Sequence, residues 1–328
     1  MPRSILTAWR LAGVARPLFL FHKPTSRCDC QCRFCDFWKN QPMEDDCLPT
    51  ADIIALIDKA AQAGMVHYIL WGGEPLAADA LPEFLARAKT NGMRTVVCTS
   101  GYRLKDRARE IAPLIDHLLL SLEAVGEKQD KLRGCPGLYQ RMVQGLDAYT
   151  AYGSGSTFLW SNVSKKNKDQ VRSLALFARE HGIGIEFFPA ALYPGYNEDL
   201  MLNGQERDHV FSEIKQLKKE GFPVRNTRYA LELMRSQRLF KCNIARLGVQ
   251  VASDGRLYPC EPRFFEGLPS YGHINEVDFT HPAFLKDYTR YRKQFSSCNA
   301  CLMPCVAHTA DSLIMQSCRR FLNYTYYH

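Results

Sequence analysis

Between residue 17 and about residue 221, short apolar runs alternate with longer segments whose apolar positions recur at helical spacing. The runs over 18–21, 67–71, 94–99, 117–122, 156–161 and 184–188 have the length and content of strands. Between them, Thr50 is placed to cap a helix whose Ile53, Ile54, Ile57, Ala60 and Ala61 share a face, and Gly64 ends it. A second helix runs from Leu81 through Phe84, Leu85 and Ala88 to Asn91-Gly92, a third from Leu138 to Tyr152, and a fourth from Asp169 to His181-Gly182. Strand and helix alternating in this way predict βαβ units and a parallel sheet, here an α/β partial (β/α)6 TIM-like barrel. In such barrels the reactive groups gather on the loops that follow the strands.

Composition adds scale and location. At 328 residues and 46% hydrophobic content the chain can bury a sizeable core. The apolar stretches among Arg3, Arg10, Arg16, Lys23 and Arg27 are too short for a signal sequence or a membrane span. With its thiols taken as reduced, the expected compartment is the cytoplasm. The formal charge of +8 is scattered over amphipathic segments, so no nucleic-acid partner is expected, and the Lys165-Lys166-Asn167-Lys168 cluster reads as a solvated loop. At the N-terminus, Ile5, Leu6, Trp9 and Leu11 interleave with Arg3 and Arg10. That pattern suits a helix covering the barrel bottom or, through residues 3–16, contact with a membrane surface. The expected organisation is an amphipathic segment over 1–16, the barrel over 17–235 and a Cys-rich extension over 236–328.

Chemistry is concentrated after the first strand, where Cys28, Cys32 and Cys35 fall within eight residues. Three thiolates spaced this closely can hold three corners of a cubic iron–sulfur cluster and leave the fourth iron open. A zinc site would want a second Cys or His pair to close its tetrahedron, and none follows nearby. A disulfide scaffold fits poorly with 13 Cys in 328 residues, an odd and sparse number. Cys30 adds a thiol inside the loop and reads as a bystander, while Cys47, Cys98 and Cys135 read as indifferent thiols. After the second strand comes Trp71-Gly72-Gly73-Glu74-Pro75, whose glycines permit close approach to the backbone and whose carboxylate can receive an ammonium group.

Cys28-x3-Cys32-x2-Cys35 with Phe34, followed one βα unit later by Gly72-Gly73-Glu74-Pro75, resembles the radical S-adenosylmethionine superfamily over residues 17 to about 190. The resemblance implies that Cys28, Cys32 and Cys35 hold a [4Fe-4S] cluster whose open iron is chelated by S-adenosylmethionine. Phe34 would then lie near the adenine, with Gly72, Gly73 and Glu74 around the methionine amino group. Ser100, Ser121, Glu123 and Asn162 match polar positions that contact the methionyl carboxylate or ribose, and Arg133 of Lys-Leu-Arg-Gly could clamp a carboxylate. A low-potential cluster would reduce the sulfonium to a 5′-deoxyadenosyl radical, which abstracts hydrogen from an unactivated C–H bond.

The tail, with Cys242, Cys260, Cys298, Cys301, Cys305 and Cys318, resembles the SPASM and twitch extensions of that superfamily, which carry auxiliary [4Fe-4S] clusters. Asp254-Gly255 reads as the turn of a hairpin leading to Cys260. Six Cys are one short of the full SPASM set of two clusters, so the expected arrangement is one auxiliary cluster on Cys242, Cys260, Cys298 and Cys301. Cys305 and Cys318 are alternates or ligands of a second. Glu261 and Arg263 are candidate substrate-handling residues, and Cys135 is a candidate hydrogen-atom donor.

The expected function is therefore hydrogen abstraction from a small-molecule, lipid or peptide substrate, with a flavodoxin- or ferredoxin-type reductant. The implied chemistry is oxidation or the formation of C–C or C–S bonds. A peptide-modifying maturase is the narrower alternative. A non-catalytic iron–sulfur electron carrier is the rival of another class, and it would need neither the Gly-Gly-Glu-Pro element nor an open iron.

Overall fold

The computed structural model describes residues 16–40, 48–236, 244–262, 267–295 and 298. Residues 3–15, Cys47, Cys242, Arg263, Cys301, Cys305 and Cys318 lie outside the described residues. Six parallel strands follow in chain order: β1 (Phe19–His22), β2 (His67–Leu70), β3 (Arg94–Thr99), β4 (His117–Ser121), β5 (Ser156–Val163) and β6 (Gly184–Pro189). Each sits within two residues of the run that its apolar content predicts.

The connecting helices are α1 (Thr50–Gln62), α2 (Leu81–Thr90), α3 (Leu104–Ile111), α4 (Glu127–Arg133), α5 (Leu138–Tyr152) and α6 (Val171–Glu180). After β6 come α7 (Gly204–Lys219) and α8 (Arg228–Ser236). Helix α1 buries Ile53, Leu56, Ile57 and Ala60, with Ile54 and Ala61 at the edge of that face. Thr50 is its first helical residue and not its cap. Pro49 occupies that position, and its carbonyl accepts from the Asp52 and Ile53 amides with no side-chain cap.

The two faces of the sheet differ. Tyr68, Leu70, Val97, Leu118, Leu120, Leu159, Ile185 and Phe187 lie wholly buried in the principal core beneath the helices. On the opposite, concave face, Ile69, Cys98, Ser121, Trp160, Asn162 and Glu186 remain half-buried. A partial barrel thus keeps an accessible inner wall. The outer edge of β6 is closed locally: Ile185 bridges Val224, and Asn226 mimics a strand by accepting from the Phe187 amide at 2.8 Å and donating to its carbonyl at 2.9 Å.

At its other edge the sheet continues into the tail. Helix α9 (Ile244–Leu247) leads into β7 (Gly248–Val251), which pairs parallel to β1. Strand β8 (Arg256–Tyr258) returns antiparallel after a turn at Asp254-Gly255, where Gly255 has φ 82°, and β9 (Gly272–His273) follows. Helix α10 (Pro282–Gln294) packs Phe284 and Tyr288 against Tyr271, and these tail residues share the core of the barrel. Among the described residues, one core cluster holds side chains from both sides of position 236.

His22, at the end of β1, is buried with its Nδ1 2.6 Å from the Tyr68 hydroxyl. Burial lowers its pKa from 6.5 to about 3. The unfolded chain therefore binds a proton between these values that the folded chain refuses, so stability falls as pH drops through this window. Anaerobic urea unfolding is expected to show about 2 kcal/mol less stability at pH 5 than above pH 7 from this group. His22→Asn should shrink that difference; an unchanged difference would assign the acid sensitivity elsewhere.

Candidate active site

The loop after β1 has no regular secondary structure through its Cys residues, where the Cys35 amide reaches the Cys32 carbonyl at 3.4 Å. It is held by the loops beside it. From the second βα unit, the Glu74 amide donates to the Arg27 carbonyl at 2.7 Å, and the Arg27 guanidinium donates to the Ala77 carbonyl at 3.1 Å. From the third, Arg103 grips Asp29 with both carboxylate oxygens at 2.8 Å. From the fourth, the Gln31 and Arg33 amides donate to the Arg133 and Leu132 carbonyls at the end of α4.

The glycines make these approaches possible. A Cβ on Gly73 would stand 2.3 Å from the Arg27 carbonyl, one on Gly72 would meet the Lys23 stem at 2.5 Å, and one on Gly134 would meet the Gln31 carbonyl at 2.6 Å. The Gly-Gly pair is thus required by packing on the Cys loop, a reason independent of ligand approach.

Glu74 is buried, and its carboxylate accepts from the Leu76 amide at 3.0 Å, the Thr99 hydroxyl at 2.6 Å and the Ser100 amide at 2.8 Å. Burial raises its pKa, and these donors oppose the rise. The Ser100 hydroxyl is a further donor to this carboxylate, so its roughly four lone-pair sites are largely taken by the protein. Arg133 likewise faces inward: its Nε and Nη2 donate to Glu123 at 2.6 and 2.8 Å, both side chains buried. Burial alone would lower the basicity of Arg133, but Glu123 together with the neighbouring Cys32 and Cys30 more than reverses this and keeps it cationic. Its guanidinium carbon lies 5.3 Å from the centre of the Phe34 ring.

Asn162 reaches Glu123 at 3.4 Å, and Asn167, buried within the basic Lys165–Lys168 run, donates to the Glu123 and Asn162 carbonyls. The Ser100 hydroxyl accepts from the Tyr102 amide, as turn-forming serines do. Ser121 faces the concave wall with its hydroxyl 4.0 Å from the Cys98 sulfur, and burial pushes the Cys98 thiol up to about 12.

Cys28 and Cys35 are half-buried and Cys32 buried, all packed in one small core with Phe34, Leu132 and Leu200. Cys30 and Cys135 are buried in the same cluster. Side-chain hydrogen bonds with Cys135, Cys28 and Cys32 hold Cys30 toward the thiolate; the Cys30 contact and burial hold Cys28, Cys32 and Cys135 toward the thiol. The Arg133 charge favours thiolates at Cys30 and Cys32. Among the described residues no three His, Cys, Asp or Glu side chains converge on a single-ion site. The fit to a polynuclear cluster rests on the donor set: three soft thiols on one loop, partly shielded from water, with the fixed Arg133 cation close to Cys32.

In the tail, Cys260 and Cys298 are half-buried. Glu261 does not face open solvent: it is buried and ion-paired with buried Lys23. The Lys23 ammonium also lies 4.5 Å from the Phe37 ring and 4.9 Å from the Trp71 ring. Lys23, Thr99, Gln129, Asn167, Tyr196 and Asn197 all support the site and carry no motif. Gln129, for example, accepts from the Glu123 and Ala124 amides and donates to the Ser121 carbonyl. The single signal open to sequence reading was a polar residue beside an apolar strand or helix face.

Comparison with known proteins agrees with this geometry. Residues 22–178 match the profile described as Radical SAM superfamily. The chain is 28% identical over 209 residues to Fe-coproporphyrin III synthase of Methanosarcina barkeri, covering 61% of this chain and 52% of that protein. It is 25% identical over 282 residues to PqqA peptide cyclase of Rhizobium meliloti, covering 83% and 74%. The chain thus spans about half of the first of these relatives and about three-quarters of the second. The fold resembles the solved structure of native anSMEcpe with bound AdoMet and Cp18Cys peptide at a TM-score of 0.65, with 16% identity, covering 94% of this chain and 97% of that one. Among the described residues, no helix is long and apolar enough to cross a membrane. Residues 22–178, in which the three-Cys loop and the Gly-Gly-Glu-Pro turn are joined at the strand ends, are thus a Radical SAM superfamily domain.

Proposed function

We propose that this chain cleaves S-adenosylmethionine reductively at a [4Fe-4S] cluster on Cys28, Cys32 and Cys35 and acts on a peptide substrate. The observation that carries the reading is the union of the Cys loop with the Gly72–Pro75 turn, through the Glu74 amide and the Gly73 contact. The bound cluster and nucleotide would supply an electron and a 5′-deoxyadenosyl radical able to take hydrogen from a C–H bond.

The residues of the chain orient and shield. Arg133, locked by Glu123, holds positive charge beside the thiols, and Glu74 ties the ends of β2 and β3 together. The concave wall, with Cys98, Ser121, Trp160, Asn162 and Glu186, offers a polar surface with one carboxylate on which a substrate can be held close to the nucleotide. A peptide is favoured because the relative with the broader coverage is a peptide cyclase and the fold neighbour holds a peptide. A tetrapyrrole is the second reading, favoured by the Fe-coproporphyrin III synthase match. We further assign one auxiliary cluster, with Cys260 and Cys298 among its ligands, and a flavodoxin- or ferredoxin-type donor.

Anaerobic incubation with S-adenosylmethionine, reductant and either deuterated peptides or iron-coproporphyrin tests this. Deuterium appearing in 5′-deoxyadenosine with peptides supports the first reading, and a response to the porphyrin alone supports the second. No 5′-deoxyadenosine under any reductant would reject both. Two [4Fe-4S] clusters correspond to about eight irons per chain, and about twelve would reject a single auxiliary cluster.

A further inference from the structure

The connection from β6 to α7, residues 190–203, turns back over the Cys loop. Tyr196 donates its hydroxyl to the Cys32 carbonyl at 2.9 Å, and Trp38 donates its indole N–H to the same oxygen at 3.2 Å. With the Cys35 amide, three donors converge on one carbonyl that has two lone pairs. The next residue, Asn197, is fully buried. Its amide donates to the Phe34 carbonyl at 3.4 Å and to the Ala191 carbonyl at 2.8 Å, while its oxygen accepts from the Tyr193 amide at 2.8 Å. Leu200 completes the contact inside the small core that holds Cys30, Cys32 and Phe34. Outside it, the Lys39 ammonium lies 3.9 Å over the Tyr196 ring, and Arg33 reaches Asp199 at 3.4 Å.

These contacts fall on the Cys32-x2-Cys35 half of the loop. The Cys28 half is held by Asp29–Arg103 and by Gly73 on Arg27. Among the described residues, the backbone between Cys32 and Cys35 meets α4 through the Arg33 amide, while residues 190–203 supply the shortest donor to the Cys32 carbonyl, beside Trp38 and the Cys35 amide, and the Asn197 donor to the Phe34 carbonyl. A ligand loop without regular structure keeps its bite only if its peptide planes are fixed from outside.

We propose that residues 190–203 form a strap that positions the Cys32–Cys35 half of the cluster loop, with Tyr196 and Asn197 as its positioning residues. This rests on the cluster assignment above. The strap holds the two thiols at the separation that the cluster needs and keeps water from their backbone. It therefore governs how long iron is retained and, through the dipoles it aims at the loop, the reduction potential.

The test uses the anaerobically reconstituted full chain. Iron release to a chelator is followed for wild type, Tyr196→Phe, Asn197→Ala and Leu192→Ala, the last an exposed residue of the same strap. The signal is the iron that a Cys35→Ala protein lacks, and potentials come from redox titration monitored by electron paramagnetic resonance. Loss of one hydrogen bond should accelerate release about 2- to 10-fold in Tyr196→Phe. Asn197→Ala should release faster still, both potentials should become more negative, and Leu192→Ala should match wild type. Release rates and potentials equal to wild type in Tyr196→Phe, with the cluster present, would overturn the strap alone. A wild-type protein that takes up no such iron would overturn the cluster assignment and the strap together.

Discussion

Cys35→Ala is expected to abolish 5′-deoxyadenosine formation, as are Cys28→Ala and Cys32→Ala, whereas Cys30→Ala and Cys135→Ala should remain active. The contrast matters because the fold packs five thiols into one small core and not only the three set by the spacing. Cys30 is 1% exposed and Cys135 5%, both on the inner side of the loop where Cys30 meets Cys28, Cys32 and Cys135. Cys28 and Cys35 are the more exposed pair of the loop, which suits groups that share a cluster with an external ligand. A cluster left with two of its three thiolates loses both its seat and its open iron. Anaerobic assay of 5′-deoxyadenosine with iron and sulfide counts decides the matter: activity lost in Cys30→Ala and kept in Cys35→Ala would reassign the ligands.

Lys23→Met should destabilise the fold by about 3–5 kcal/mol, because it leaves Glu261 as a buried carboxylate without its cation. Lys23 and Glu261 are 6% and 4% exposed, and the ammonium sits against Phe37 and Trp71, so little water can replace it. Lys23→Met with Glu261→Leu should recover most of the loss, since an apolar pair of similar volume avoids desolvating two charges. Urea unfolding of the full chain and both variants measures this. A loss under about 1 kcal/mol in Lys23→Met would show that Glu261 escapes to solvent. The pair joins the tail to the base of the Cys loop, so the single variant should also lower the iron content.

Much of the barrel was legible because its strands are short apolar runs between amphipathic helices. All six recur near their expected positions, as do α1, α2, α5 and α6. Helices α3 and α4 were not legible: Leu104–Ile111 and Glu127–Arg133 hold few apolar residues, and α4 exists to bring Gln129 and Arg133 under the Cys loop. Nor was the pairing of β7 with β1, which joins the tail to the sheet. A strand carries no mark of which neighbour it will choose, since backbone hydrogen bonds are alike in every pair.

What the sequence determined by itself was local chemistry. The spacing of Cys28, Cys32 and Cys35 sets which ligands one loop can offer, and a Gly-Gly-Glu-Pro turn after a strand can be read within a few residues. The tertiary structure decided the partners of the buried polar groups. Glu74 is met by Thr99 and Ser100, Arg133 by Glu123, Lys23 by Glu261, and the Cys32 carbonyl by Tyr196. Each of these groups must find a partner once water is removed, and which partner stands there depends on how distant strands are arranged. That cost of burial is why these groups are tied to one another across the strand ends that carry the Cys loop.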